Sequence, residues 1–152
     1  MAQNDTLFHF EGKVVTGFGR GGKDLGCPTA NMDDNVVSNL NPSISCGVYY
    51  GYGRVNNGQV YDVVLSIGWN PHFKNEKRTV EVHFIHNFDN DFYGANVECL
   101  VVGRIRDMRS FSGLDELKKE IENDITTAKV ECGKVENMNK IVDFFASRRN
   151  HL

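Results

Sequence analysis

Apolar and polar positions alternate with a period of two through TVEVHFIH (79–86), and GVYYGYGRV (47–55), QVYDVVLSIGW (59–69), TVEVHFIHNF (79–88) and ANVECLVVGRI (95–105) are rich in β-branched and aromatic residues, the patterns of β-strands. Asn56, Asn57 and Gly58 lie between the first two runs, and their Asn-Gly pair predicts a tight type I′ turn; DNDFYG (89–94) predicts a second hairpin joining the last two. Gly47, Gly51, Gly53, Gly68 and Gly103 fall inside these strands. Such glycines are costly in a flat sheet and fit a small closed barrel, where strands coil sharply or something approaches the backbone closely. After Phe111 the period lengthens: Leu114, Leu117, Ile121, Ile125 and Ala128 form one stripe of a helix ending near Gly133, with Ser112 and Asp115 at capping-box spacing. A second, shorter helix is predicted over 137–147, with Met138, Ile141, Val142 and Phe145 apolar. The expected architecture is one mainly β domain over 1–152, a barrel over about 8–111 with a helical part over about 112–148 packed on it.

Composition narrows the class. The 152 residues are 40% hydrophobic and 24% charged, ordinary values for a globular protein, and no apolar run approaches the roughly 20 residues of a membrane span. MAQNDTLFHF carries neither the basic region nor the apolar core of a signal peptide, so an intracellular, cytoplasmic protein is expected, with an organelle left open. Cys27, Cys46, Cys99 and Cys132 form no CxxC and read as reduced thiols. A net charge of −3 argues against a general nucleic-acid binder, while Lys13, Arg20 and Lys23 could line a local funnel for a nucleotide.

Three stretches could carry chemistry. GFGRGGKDLGCPTAN (17–31) matches both GxGxxG, on Gly17, Gly19 and Gly22, and GxxxxGK, from Gly17 to Lys23. Both motifs need a helix opening at the last glycine, and Gly26 and Pro28 oppose one; what survives is the idea of backbone amides near phosphate. Thr29 and Asn31, two apart on extended chain, direct a hydroxyl and a carboxamide to one side. They are either a turn with local hydrogen bonds or a weak Mg²⁺ site that works only with nucleotide phosphates bound. In TVEVHFIH, Val80, Val82 and Phe84 face the core, and Glu81 points either into solvent or into a site on the barrel's outer wall. His83 and His86 lie on opposite faces and make a poor metal pair.

Taken in order, GFGRGGKDLGCPTAN, GVYYGYG, SIGWNPHFKN, VEVHFIH, DFYG and GRIR resemble the riboflavin kinases over nearly the whole chain. The resemblance implies a six-stranded antiparallel Greek-key barrel with a C-terminal helix, and phosphorylation of riboflavin at the ribityl 5′-hydroxyl by Mg-ATP, giving FMN and ADP. It implies that Thr29 and Asn31 hold the metal, Mg²⁺ or alternatively Zn²⁺ or Mn²⁺, and that Thr29 also contacts phosphate. Gly17 and Lys23 would arch over the phosphates, and Glu81 would be the catalytic carboxylate. Phe84, His86 and Tyr93 would line the nucleotide pocket, and Arg106, Arg109 and Phe111 would lie on the loop closing over the flavin. Where the family commonly has Arg-Pro-Glu, this chain has Arg106, Asp107 and Met108. The expected partners are the small-molecule substrates and products alone, with no nucleic acid or membrane, and the expected state is a monomer without a fused adenylyltransferase or phosphatase domain. Two rivals remain: a silent flavin- or nucleotide-binding barrel, and an OB-like barrel stacking single-stranded nucleic acid on Tyr49, Tyr50, Tyr52 and Trp69.

Overall fold

The computed structural model describes residues 8–15, 29–69, 78–86 and 94–149. Six strands close into an antiparallel barrel: β1 (Phe8–Val15), β2 (Thr29–Met32), β3 (Gly47–Val55), β4 (Tyr61–Trp69), β5 (Arg78–Phe84) and β6 (Asn96–Arg106), in the spatial order β1-β2-β5-β4-β3-β6. Among the described residues three helices complete it: α1 (Asp34–Asn39), α2 (Leu114–Cys132) and α3 (Val135–Arg149). Strands β3, β4 and β5 follow one another as neighbours, and β6 returns to lie beside β3, which is Greek-key connectivity.

Period-two alternation sorts the side chains as expected. Tyr49, Val63, Leu65, Ile67, Val80, Val82, Phe84, Val97, Cys99 and Val101 fill the interior. Val48, Val64 and Ala128 form a second cluster where α2 covers the outer wall, and Tyr52, Leu100, Cys132 and Phe145 a third beneath α3. The glycines answer to close approach: a Cβ at Gly51 would lie 2.1 Å from the Leu100 carbonyl oxygen, and one at Gly103 would lie 2.2 Å from the Tyr50 hydroxyl. Beneath α3, Arg54 donates from Nε to Glu98 Oε1 at 2.8 Å, both side chains almost fully buried, and its guanidinium lies over the Phe145 ring.

Four local expectations need correction. The hairpin joining β5 to β6 is absent: β5 pairs with β2 and β4, and β6 with β1 and β3, because barrel closure occupies both edges of each strand. The β3–β4 turn has its positive φ values at Asn56 (49°) and Asn57 (62°), and the Gly58 amide closes the turn onto the Val55 carbonyl. Its central pair is thus Asn-Asn rather than Asn-Gly. The capping box does not form. The cap of α2 is Gly113, without a side-chain bond, so Ser112 lies one residue too early and its hydroxyl donates to Glu116 Oε2 at 2.5 Å. The last helix is longer than the predicted 137–147. An unforeseen helix, α1, is capped by Asp33, which accepts from the Asn35 and Val36 amides; it seats Val36 against Gly12 and adds Val36 and Leu40 to the interior cluster.

Candidate active site

The outer wall of the barrel and the N-terminal half of α2 enclose a cleft of about 630 Å³. Its back wall is β-sheet. Glu81 on β5 stands opposite Asn31 on β2 and Ser66 on β4, and one row further on His83 faces Thr29 and Val64. Because the i and i+2 side chains of a strand share a face, Glu81 and His83 both enter the cleft. Glu81 Oε1 lies 3.4 Å from His83 Nε2, and both side chains are largely sheltered. The front wall is apolar, made by Leu117, Ile121 and Ile125 of α2, with Trp69, Met108 and Leu114 exposed at the rim.

Two irregularities in β6 deliver the basic residues. Register shifts against β3, between Val48/Tyr49 and Tyr50/Gly51, set Gly103 opposite Tyr50, Arg104 opposite Tyr49 and Arg106 opposite Val48. Each added residue inverts the facing of those beyond it. Arg104 is thereby turned to the interior side, over the Tyr49 ring and onto the Cys46 carbonyl at 2.9 Å, while Arg106 returns to the outer face beside the cleft. There Arg106 donates from Nε and Nη2 to the two oxygens of Asp124, each at 2.8 Å, and reaches Glu120 at 3.5 Å. The Asp124 carboxylate holds the Arg106 guanidinium above its ordinary value, against the opposing effect of burial.

The next arginine is tied to the same helix. Arg109 pairs with Glu116 and lies 3.6 Å from Glu120. Both guanidinium groups lie over the Phe111 ring, 5.8 Å away for Arg106 and 4.7 Å for Arg109. Glu116, Glu120 and Asp124 are four residues apart, so they form a carboxylate ladder on one face of α2. The ladder holds the segment from Asp107 to Gly113 across the mouth of the cleft. Hydrogen bonds from the Ser112 hydroxyl and amide, and then the Arg109 charge, keep the Glu116 carboxyl below its ordinary value.

Of the residues singled out in the sequence, Asn31, Glu81, Arg106, Arg109 and Phe111 converge on this cleft. Glu81 thus faces the site rather than open solvent. Phe84 and His86 are not brought there. Phe84 is fully buried in the barrel interior, and exposed His86 stacks on Tyr61 with ring centroids 4.1 Å apart. Thr29 takes its place on β2 opposite His83. Gly17, Lys23 and Tyr93 lie outside the described residues. Ser66, His83, Glu120 and Asp124 were not anticipated. Two of them carried a signal: His83 shares the Glu81 face of its strand, and Asp124 is a carboxylate inside the apolar stripe of α2 between Ile121 and Ile125. Tyr49 and Tyr52 are buried, which removes two of the four aromatics that a nucleic-acid stacking platform would need.

The donor set suits a metal held mainly by phosphate. Among the described residues no three carboxylate, thiol or imidazole groups converge on one point, and the cross-strand neighbours of Glu81 are the neutral oxygen donors Asn31 and Ser66. Mg²⁺ typically takes one or two protein oxygens plus substrate phosphates, and the Asn31 carboxamide lining the cleft fits that demand.

Comparison with known proteins places these features in a family. The family model described as Flavokinase, riboflavin kinase, matches residues 5–131. A riboflavin kinase of Mus musculus is 44% identical over 138 residues, covering 91% of this chain and 89% of the relative. One of Homo sapiens is 48% identical over 118 residues, covering 78% and 76%. The crystal structure of riboflavin kinase from Trypanosoma brucei superposes with a TM-score of 0.68 at 34% identity, over 88% of this chain and 84% of that one. A solved structure described as a macrolide-efflux protein from Streptococcus pneumoniae gives a TM-score of 0.66 at 30% identity over 81% of this chain, which spans 38% of that one. With the closed Greek-key barrel and a carboxylate-bearing cleft beneath α2, these matches establish that the chain belongs to the riboflavin kinase family.

Proposed function

We propose that the cleft between β5 and α2 is where riboflavin and ATP meet, with Glu81 as the base that activates the ribityl 5′-hydroxyl. Members of the family phosphorylate riboflavin to FMN, and this chain is a riboflavin kinase in that sense. Phosphoryl transfer asks little covalent chemistry of the protein; it needs an aligned hydroxyl, screened phosphate oxygens and exclusion of water. The observation that carries the reading is the meeting of Glu81 and Asn31 on one wall with Arg106, Arg109, Phe111 and an apolar helix face on the other.

Each part then has a task. The apolar wall of α2 and the Phe111 loop cover the flavin ring, and burial there excludes water from the reacting end. Glu81 accepts a hydrogen bond from the 5′-hydroxyl, orients it towards the terminal phosphate of ATP and takes its proton as the new bond forms. Asn31 and Thr29 would hold Mg²⁺, or Zn²⁺ or Mn²⁺ in its place; bound metal screens the phosphate charge. Lys23 and the amides around Gly17 would cradle the phosphates, with Tyr93 and His86 at the nucleotide end, while Phe84 belongs to the barrel interior. The enzyme acts as a monomer on small molecules in the cytoplasm.

Incubation with riboflavin, ATP and Mg²⁺, with products separated by chromatography, tests the activity. FMN and ADP should form in equal amounts; riboflavin that binds but is never converted would favour a silent flavin-binding barrel. The cleft assignment has its own test. Leu114→Asp, at an exposed rim position, should raise the KM for riboflavin and leave that for ATP unchanged.

A further inference from the structure

We propose that His83 is a positioning residue for Glu81, fixing which carboxylate oxygen is presented to the substrate hydroxyl. The inference rests on the reading of Glu81 as the base. A glutamate's terminal torsion is broad and roughly two-fold, so an exposed carboxylate alone in a cleft would sample many orientations, most of them misaligned for in-line transfer. Here the backbone under Glu81 is pinned on both sides, by β2 through Asn31 and by β4 through Ser66. The remaining freedom lies in the side chain. His83, two residues along the same face, brings Nε2 to 3.4 Å from Glu81 Oε1.

His83 is itself held. It is buried on a wall that faces the cleft, between its neighbours on β2 and β4. The imidazole places Nε2 at 3.4 Å from Glu81 Oε1, so that a proton on this nitrogen is directed at that oxygen. This contact selects one orientation of the carboxylate and leaves Oε2 to receive the hydroxyl proton. Reacting groups held in line contribute strongly to rate, and a misplacement of about 1 Å can cost about 10²-fold. His83 needs no contact with either substrate to have this effect.

A double-mutant cycle on kcat tests it. His83→Ala should lower kcat by about 10- to 100-fold with little change in either KM, whereas His83→Gln, which keeps an N–H donor, should recover most of the rate. In a Glu81→Gln background His83→Ala should cost nothing further, because two residues that act as a unit are non-additive. Full additivity, or an unchanged kcat in His83→Ala, overturns the positioning role while the slow Glu81→Gln enzyme leaves the base assignment standing. A Glu81→Gln enzyme as fast as wild type removes the base assignment, and the positioning role falls with it. If His83→Ala does not fold, His83→Leu keeps side-chain volume without the donor. It should be slow where His83→Gln is fast, and equal rates would overturn the proposal.

Discussion

Arg106 grips Asp124 through two parallel hydrogen bonds, Nε to Oδ1 and Nη2 to Oδ2, each 2.8 Å long. This side-on geometry is the strong form of an arginine–carboxylate contact, and it fastens the end of β6 to the middle of α2. The loop that follows, with Arg109 and Phe111, begins from that fixed point.

Removing one partner of the grip should therefore act on the flavin side of the cleft. Asp124→Asn leaves Arg106 without its bidentate partner, and riboflavin should bind about 10-fold more weakly, equivalent to roughly 1.4 kcal/mol. Mg-ATP affinity should not change. Flavin fluorescence titration measures the first and calorimetry the second; equal losses for both ligands would mean that Asp124 supports the whole fold rather than the loop.

The outer clasp of the loop should respond to acid. The folded-state value of Glu116 is depressed, chiefly by hydrogen bonds from Ser112 and then by Arg109, so its stabilisation is present above its ordinary value and is lost as pH falls through the folded-state value. Wild type should thus melt at a higher temperature than Glu116→Gln at pH 7, with the gap closing as the pH falls below the ordinary glutamate range. A gap that stays constant across this range would show that the clasp contributes nothing through its charge.

Phe84 gives a prediction of a different kind. Its side chain is fully buried among Val63, Val82 and the other interior residues, so Phe84→Ala should cost about 3–5 kcal/mol of stability. Urea denaturation would measure that loss as a lower midpoint. A cost near zero would mean that the ring is not a core member and would favour a direct role at the nucleotide.

Much of this layout was legible in the chain because alternation fixes facing. Val80, Val82 and Phe84 inward with Glu81 outward followed from TVEVHF alone, and the strand glycines pointed to something lying close on their backbone, as the Leu100 carbonyl at Gly51 and the Tyr50 ring at Gly103 bear out. Facing does not name neighbours, however. Nothing in a period of two says that β5 lies between β2 and β4, so the expected β5–β6 hairpin failed. The two register shifts in β6 were invisible for the same reason, although they decide that Arg104 turns in and Arg106 turns out. The six residues of α1 are too few for a helical period to emerge, and its evidence was only the Asp33 cap. Asp124 could have been found: a charge within an apolar helical stripe calls for a buried partner, and the arginines preceding α2 were the available cations.

The role of Glu81 is the centre of the account, and single-turnover formation of FMN by Glu81→Gln tests it most directly. Loss of general-base help should slow the transfer by about 10² to 10⁴-fold, with riboflavin and Mg-ATP binding within about two-fold of wild type. Transfer at the wild-type rate with both substrates bound would contradict the assignment of Glu81 as the base.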